Sequence, residues 1–143
     1  MMNLETLQQQ WEKDSSIDDT QLDKESLSVP TLHAKYYKYY NEFRLMKEDA
    51  EMKLKILYKS KWEYYNGKAP AKVYAEAPFD HKVLKQDISI YIDADEEVIK
   101  ARLKVRYNEI ILEFLESVLK TISNRTFQVK NAIDWRRFTE GVL

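Results

Sequence analysis

The sequence predicts an all-α protein built on two long amphipathic helices, with shorter helices at the N-terminus, in the middle and at the C-terminus. The composition favours helix, because the 143 residues include only two glycines and three prolines, with many Lys, Glu, Leu and Tyr. Apolar residues recur at helical spacing in two long stretches, residues 36–64 and 99–122. The length fits one domain, or a small domain with an oligomerisation arm.

The N-terminal region predicts two short helices. Asn3 can cap the first, over residues 3–14, whose leucines and tryptophan recur at helical spacing. Asp19 or Thr20 is then expected to cap a brief second helix that reaches about Leu27. Acidic residues near both helix starts complement the helix dipole, which explains them without a ligand.

The first long helix is predicted to begin at Pro30, a residue suited to a first turn, and to end at Gly67, which supplies a left-handed stop. A helix of some 35 residues must pack lengthwise against another helix or another chain to be stable. Its apolar seam alternates steps of three and four before it skips Lys53 and Ser60. The seam is Tyr36, Tyr39, Phe43, Met46, Ala50, Leu57 and Tyr64.

The segment after Gly67 is predicted to be a loop over residues 68–78, which could extend a binding surface or could serve as a mobile connector. Residues 80–92 fit both a helix and an alternating strand, and Asp80 as a cap favours the helix. The acidic residues 93–97 resemble a metal site, but helix capping and the helix dipole explain them fully.

The second long helix carries an apolar surface too broad for one neighbouring helix to cover. A break is predicted near residues 124–126, followed by a helix to Gly141 whose apolar residues fold back or dock on the next subunit. Self-association would bury this surface. The predicted oligomerisation residues are Leu103, Tyr107, Ile110, Ile111, Phe114, Leu115, Val118, Leu119, Ile122, Phe127, Ile133, Trp135 and Phe138.

Charge is distributed unevenly along the chain, although the net charge is only −1. Residues 1–34 carry 2 basic and 7 acidic groups, whereas residues 35–72 carry 10 basic and 5 acidic groups. The middle of the chain can therefore attract a polyanion locally.

Residues 53–68 interleave five lysines with three tyrosines and a tryptophan. Ammonium groups suit phosphates and flat rings suit unstacked bases, so this stretch predicts single-stranded nucleic acid binding. The alternative is an ordinary amphipathic helix with core rings and solvated lysines. The candidate DNA-binding residues, with one lysine from the following loop, are Lys53, Lys55, Lys59, Lys61, Trp62, Tyr65, Lys68 and Lys72.

Helical geometry limits how these lysines can act together. At about 100° per residue, Lys55, Lys59 and Trp62 share one side of a helix, while Lys61 and Tyr65 lie well round from Lys59. Lys59 and Lys61 therefore cannot reach one phosphate from a straight helix. Both could still serve one strand if their long side chains bend round the helix, or if the strand passes between neighbouring subunits. Four tyrosines upstream, between positions 36 and 40, are expected to serve packing more than base stacking.

The motifs of common enzymes are missing from the sequence. His33 and His81 lie in different elements without a zinc-like pattern, there is no cysteine, and two glycines cannot build a phosphate loop. We therefore expect a binding protein, not an enzyme, with no cofactor and no metal. No apolar run approaches the roughly 20 residues that span a bilayer, and the N-terminus is not signal-like, so the chain is expected to be soluble and intracellular.

Three stretches of the sequence carry a family resemblance, residues 17–25 (IDDTQLDKE), 59–68 (KSKWEYYNGK) and 125–141 (RTFQVKNAIDWRRFTEG). Together they resemble the UvsY-type recombination mediators of T-even-like phages. The resemblance runs in order over nearly the whole chain, and the order, spacing and chain length together make it specific.

The resemblance implies an all-helical, ring-forming homo-oligomer, a hexamer or heptamer, that binds single-stranded DNA in the cytoplasm of the infected bacterial cell. It implies contacts with a RecA-like recombinase and a single-strand-binding protein, which the recombinase displaces as it is loaded for DNA recombination, repair and replication. The basic pair of the family maps onto Lys59 and Lys61. The second position can be arginine in the family and is Lys61 here. Residues 1–95 would bind DNA, and residues 96–143 would form the oligomer. The rival hypothesis is a helical oligomeric adaptor that binds an acidic protein without nucleic acid.

Overall fold

A computed structural model of the chain describes residues 2–141, and all regular secondary structure in that range is helical, with no strand. The predicted all-α class with two long helices is confirmed, while the ring stays a prediction. Five α-helices and a short 3₁₀ turn, Lys85–Asp87, follow one another along the chain. The α-helices are α1 (Leu4–Asp14), α2 (Leu22–Tyr65), α3 (Ala71–Glu76), α4 (Ile88–Asp93) and α5 (Glu96–Thr139).

The fold contains two compact units, and both long helices contribute to each of them. One unit combines the chain up to Phe43 with the chain from Ile110 onward, and the other is Arg44–Glu109. The assignment of DNA binding to residues 1–95 and of oligomerisation to residues 96–143 stays a prediction.

Helix α1 forms as its capping pattern predicts. The Asn3 side chain accepts a hydrogen bond of 2.8 Å from the backbone N–H of Thr6. Leu7 is completely buried, and the Trp11 ring lies edge-on against Tyr36 at 5.3 Å. The apolar side of α1 is therefore part of the core of its unit.

The brief helix expected before Leu27 is the first part of α2, and its cap differs from the prediction. Asp18, rather than Asp19 or Thr20, organises the turn, since its carboxylate accepts a 3.0 Å hydrogen bond from the backbone N–H of Thr20. The turn closes when the N–H of Gln21 donates to the carbonyl of Asp18. Helix α2 then begins at Leu22.

The prediction that the long helix begins at Pro30 was wrong, because Pro30 lies inside α2. A proline within a helix costs about 3 kcal/mol, so contacts on both sides of it must compensate. Glu25 pairs with the buried guanidinium of Arg125, and Tyr36 donates a 2.8 Å hydrogen bond to Asp14. These contacts lie before and after Pro30, and both belong to the first unit.

The end of α2 follows the predicted glycine stop. Gly67 has a φ of 74°, and the N–H of Lys68 donates to the carbonyl of Glu63 across the turn. The segment 68–78 is not wholly a loop as predicted, because it contains α3. The hydroxyl of Tyr74 donates a 2.7 Å hydrogen bond to the carbonyl of Tyr64, which ties α3 to the last turn of α2.

The helix favoured for residues 80–92 forms only in its second half. Residues 79–84 are not helical, and Asp80 caps nothing, since the 3₁₀ turn begins at Lys85 and α4 begins at Ile88. Burial explains this boundary, because the core of the second unit is made by Ile88, Ile92 and Val98 packed against one side of α2. The α2 residues in this core are Leu54, Leu57, Tyr58 and Tyr65.

The break predicted at residues 124–126 was wrong, and so was the folding back of the tail, because α5 continues without interruption to Thr139. Arg125 is buried there, and its guanidinium donates hydrogen bonds to the carbonyls of Asp14 and Ser16. The guanidinium also forms an ion pair with Glu25. Together these contacts fix Arg125 in place, and α5 is a regular helix at this position.

Replacement of Pro30 by alanine should stabilise the protein by about 2 kcal/mol, because alanine restores a helical hydrogen bond and removes the ring clash. Chemical denaturation would measure this gain, with Thr31→Ala on the exposed side of the same turn as the control. A neutral or destabilising Pro30→Ala would contradict a helix that begins before this residue, since proline is favourable at a first turn.

Candidate nucleic-acid interface

The outer side of the last turns of α2 brings together four of the eight candidate DNA-binding residues. Lys55, Lys59 and Trp62 lie within about 60° of one another around the helix. Lys59 is 80% exposed, and its nearest carboxylate, Glu63, is 4.0 Å away. Lys68, just past the glycine stop, places its ammonium group 5.2 Å from the centre of the Trp62 ring. We call Lys55, Lys59, Trp62 and Lys68 the outer face.

Two further candidate lysines are exposed but lie apart from the outer face. Lys53 is about 120° round the helix from Lys59 and pairs with Asp49 at 2.8 Å. Lys72 is on α3 and is exposed. Both lysines can add to the local positive field, whereas neither adjoins Trp62.

Lys61 points inward, about 160° round the helix from Lys59. Its side chain is only 18% exposed, and its ammonium group lies 3.2 Å from Asp95 and 3.5 Å from Glu97. The same ammonium group is 5.6 Å from the centre of the Tyr64 ring. Lys61 therefore has a complete set of partners within its own chain.

Asp95 is the centre of this arrangement, with a side chain only 8% exposed. One carboxylate oxygen accepts hydrogen bonds from the backbone N–H groups of Glu97 and Val98 and so caps α5. The other accepts a 2.6 Å hydrogen bond from the Tyr65 hydroxyl and faces Lys61. Burial by itself would raise the pKa of Asp95, but the bonds from Tyr65 and Lys61 hold that pKa below its ordinary value.

Tyr65, the eighth candidate, also faces inward. Burial and the hydrogen bond to Asp95 raise the pKa of its hydroxyl well above the usual value, so the phenol stays protonated and keeps donating. Its ring meets Phe79 edge-on at 5.0 Å and Tyr91 at 5.8 Å. The ring thus packs against other aromatic rings of the second unit, while the DNA-binding role of Tyr65 stays a prediction.

Lys61 lines a surface cleft of about 350 Å³. Glu76, Asp95 and Glu97 line the same cleft, so it holds three acidic residues beside one lysine. A phosphate that approached Lys61 would meet this excess of negative charge. The capping interpretation of Asp95 was correct, but the sequence did not reveal its second role as the partner of Lys61.

The segment after α2 is held by reciprocal tyrosine contacts. The rings of Tyr64 and Tyr74 stack at 5.3 Å, and the Tyr64 hydroxyl donates a 2.8 Å hydrogen bond to the carbonyl of Ala77. The Tyr74 hydroxyl in turn bonds to the backbone of α2. Lys68 and Lys72 are therefore carried by an ordered segment that is fixed to the end of α2.

The predicted oligomerisation residues divide by burial. Ile111, Leu115, Val118 and Ile122 are buried within the single chain, and Phe114 and Leu119 are half-buried. Seven others are exposed, the last two of which stack on each other at 5.7 Å. The exposed residues are Leu103, Tyr107, Ile110, Phe127, Ile133, Trp135 and Phe138.

Residues 2–141 contain no group of three or more His, Asp or Glu side chains placed to hold a metal ion. None of the helices in this range is both long enough and apolar enough to cross a membrane.

The fold and the outer face together define a helical protein with a basic, aromatic surface of the kind that suits single-stranded nucleic acid. Over residues 10–142 the chain matches the family described as "Recombination, repair and ssDNA binding protein UvsY". The chain therefore belongs to the UvsY family of recombination, repair and single-stranded DNA binding proteins.

Individual relatives agree with this assignment. The recombination protein uvsY of Enterobacteria phage T4 is 27% identical over 140 residues, which span 98% of this chain and 99% of the relative. One crystal structure of the bacteriophage T4 recombination mediator protein UvsY superposes with a TM-score of 0.86 at 27% identity, over 98% of this chain and 99% of that one. A second crystal form gives a TM-score of 0.83 at 26% identity, over 96% and 99%.

Proposed function

We propose that the protein is a recombination mediator, which binds single-stranded DNA and helps to load a RecA-like recombinase while the single-strand-binding protein is displaced. The observation that carries this proposal is the outer face, where two lysines, a tryptophan and a third lysine above its ring lie together. Family membership supports DNA binding, and the mediator role is supported by the similarity to the T4 mediator structures. The chain would act as a binding protein and not an enzyme, in the cytoplasm of an infected bacterial cell.

The roles of the outer-face residues follow from their chemistry. Lys55 and Lys59 lie one helical turn apart and would contact neighbouring phosphates of one strand. Trp62, with a partly exposed indole, would stack on an unstacked base, a contact worth about 1–3 kcal/mol per base. Lys68 would orient the indole and add charge, while Lys53 and Lys72 would contribute to the local field. This type of contact reads no sequence, which suits a protein that must act on any strand.

Repetition of the outer face in a homo-oligomer would turn a weak site into a strong one. A single face with so few charges binds modestly, whereas linked copies can raise avidity by about 10²–10⁴-fold. A strand led over several faces is also bent, and a bent strand fits a competing protein coat less well. The exposed apolar residues of α5 are the surface that we propose for this self-association, because each is a large side chain that is exposed in the single chain.

The variant Lys55→Ala/Lys59→Ala should bind single-stranded DNA more weakly and with a flatter salt dependence. Each lost phosphate contact removes one released counterion, so the slope of log K against log salt should fall by about 0.7 per lysine. Fluorescence anisotropy with labelled oligothymidine over a series of salt concentrations would measure this. Lys24→Ala, at an exposed lysine in the first turn of the same helix, is the matched control.

An unchanged slope in the double variant would place the DNA site elsewhere. A wild-type protein that binds no oligothymidine at any salt concentration would instead support the adaptor hypothesis, in which the basic surface docks an acidic protein.

The variant Trp135→Ala/Phe138→Ala should reduce the mass of the assembly in light scattering without loss of helix content. Trp135 and Phe138 are 67% and 66% exposed, so their removal does not open the core of the chain. Leu27→Ala removes an exposed leucine of similar apolar character from α2 and should leave the mass unchanged. A double variant with the mass of the wild type would show that the subunits associate through another surface.

A further inference from the structure

We propose that Lys61 is a positioning residue, not a phosphate contact: with Asp95 and Tyr65 it forms a clasp that holds the last turn of α2 so that the outer face is presented to DNA. This inference rests on the proposed function, since it concerns how the DNA site is held. It reassigns one member of the basic pair that the resemblance places at the DNA.

The first support for the clasp is the burial and pairing of its members. Lys61 and Asp95 are both largely withdrawn from water, and their charged atoms are 3.2 Å apart. Removing either partner of a buried ion pair leaves the other charge uncompensated, which keeps the pair closed. To reach a strand, Lys61 would have to leave Asp95 buried without its charge partner, and the long lysine side chain would have to bend round the helix. The ammonium group would then exchange an ion pair shielded from water for a solvent-exposed phosphate contact.

The second support is the charge of the surrounding cleft. Glu76, Asp95 and Glu97 line it together with Lys61, so the opening toward Lys61 is acidic. A DNA strand carries one negative charge per nucleotide and is repelled from such an opening. Lys59, about 160° round α2 from Lys61, has Glu63 as its nearby acid, at 4.0 Å. Phosphates are therefore directed to Lys59 and away from Lys61.

The third support is what the clasp connects. Tyr65 and Lys61 are one turn apart at the end of α2, and both bind the carboxylate that caps α5. Trp62 and Tyr64 lie between them, so the clasp sets the orientation of the turn that carries the indole. Tyr64 in turn stacks on Tyr74, which holds the segment with Lys68 near the indole. Loosening the clasp would disturb the outer face without removing any of its groups.

The experiment compares Lys61→Met, which keeps the apolar stem, with Asp95→Asn, which keeps a helix-capping side chain. Oligothymidine binding is measured by anisotropy over a salt series, at a temperature where circular dichroism shows helix content equal to that of the wild type. Both variants should weaken binding severalfold while the salt slope stays at the wild-type value. Tyr65→Phe, which removes only the hydroxyl of the clasp, should weaken binding in the same manner but less.

Three outcomes would overturn the clasp. If Lys61→Met lowers the salt slope by about 0.7, as loss of one phosphate contact does, Lys61 touches DNA. If Asp95→Asn tightens binding, Asp95 restrains a DNA-binding lysine instead of positioning the outer face. If both variants bind as the wild type does, the clasp serves stability alone.

Should Lys61→Met fail to fold, Asp95→Asn and Tyr65→Phe decide the question. Failure of the proposed function is separate, because wild-type protein would then not bind oligothymidine.

Discussion

A single buried carboxylate, Asp95, organises the part of the second unit that carries the candidate DNA site. It accepts hydrogen bonds from two backbone N–H groups at the start of α5 and from the Tyr65 hydroxyl, and it faces the Lys61 ammonium group. A carboxylate removed from water is stable only when such partners surround it. The last turn of α2, the segment after it and the start of α5 are therefore fixed relative to one another inside one compact unit.

This constraint sorts the lysines of one basic stretch into two kinds. Lys61 is turned inward and paired, whereas Lys55 and Lys59 are turned outward beside Trp62. In a protein whose net charge is close to zero, the position of each charge decides what it can attract, since charges beyond about 10 Å are screened at ordinary salt. A modest outward group of lysines is consistent with the proposed role, in which the protein holds a strand and later releases it to another protein.

Much of the fold could be predicted from periodicity, while the inward lysine could not. The predicted apolar seam of α2 was correct at Phe43 and Ala50, which are buried. Steps of four and three from Ala50 reach Leu54, Leu57 and then Lys61, but a lysine at such a position does not by itself indicate burial. Its partner Asp95 is 34 positions away, so only the folded chain shows the pair. The uninterrupted course of α5 was missed for a similar reason, because the contacts of Arg125 lie at the other end of the sequence.

The most direct test of the outer face is to measure, by mass spectrometry, how fast each lysine is acetylated with and without bound oligothymidine. Lys55, Lys59 and Lys68 should react readily in the free protein and become protected by DNA. Lys61 should react slowly in both states, because its ammonium group is paired inside the chain. Equal reactivity of Lys55 and Lys59 in the two states would contradict an outer face that binds the strand, and protection of Lys61 by DNA would contradict its inward pairing.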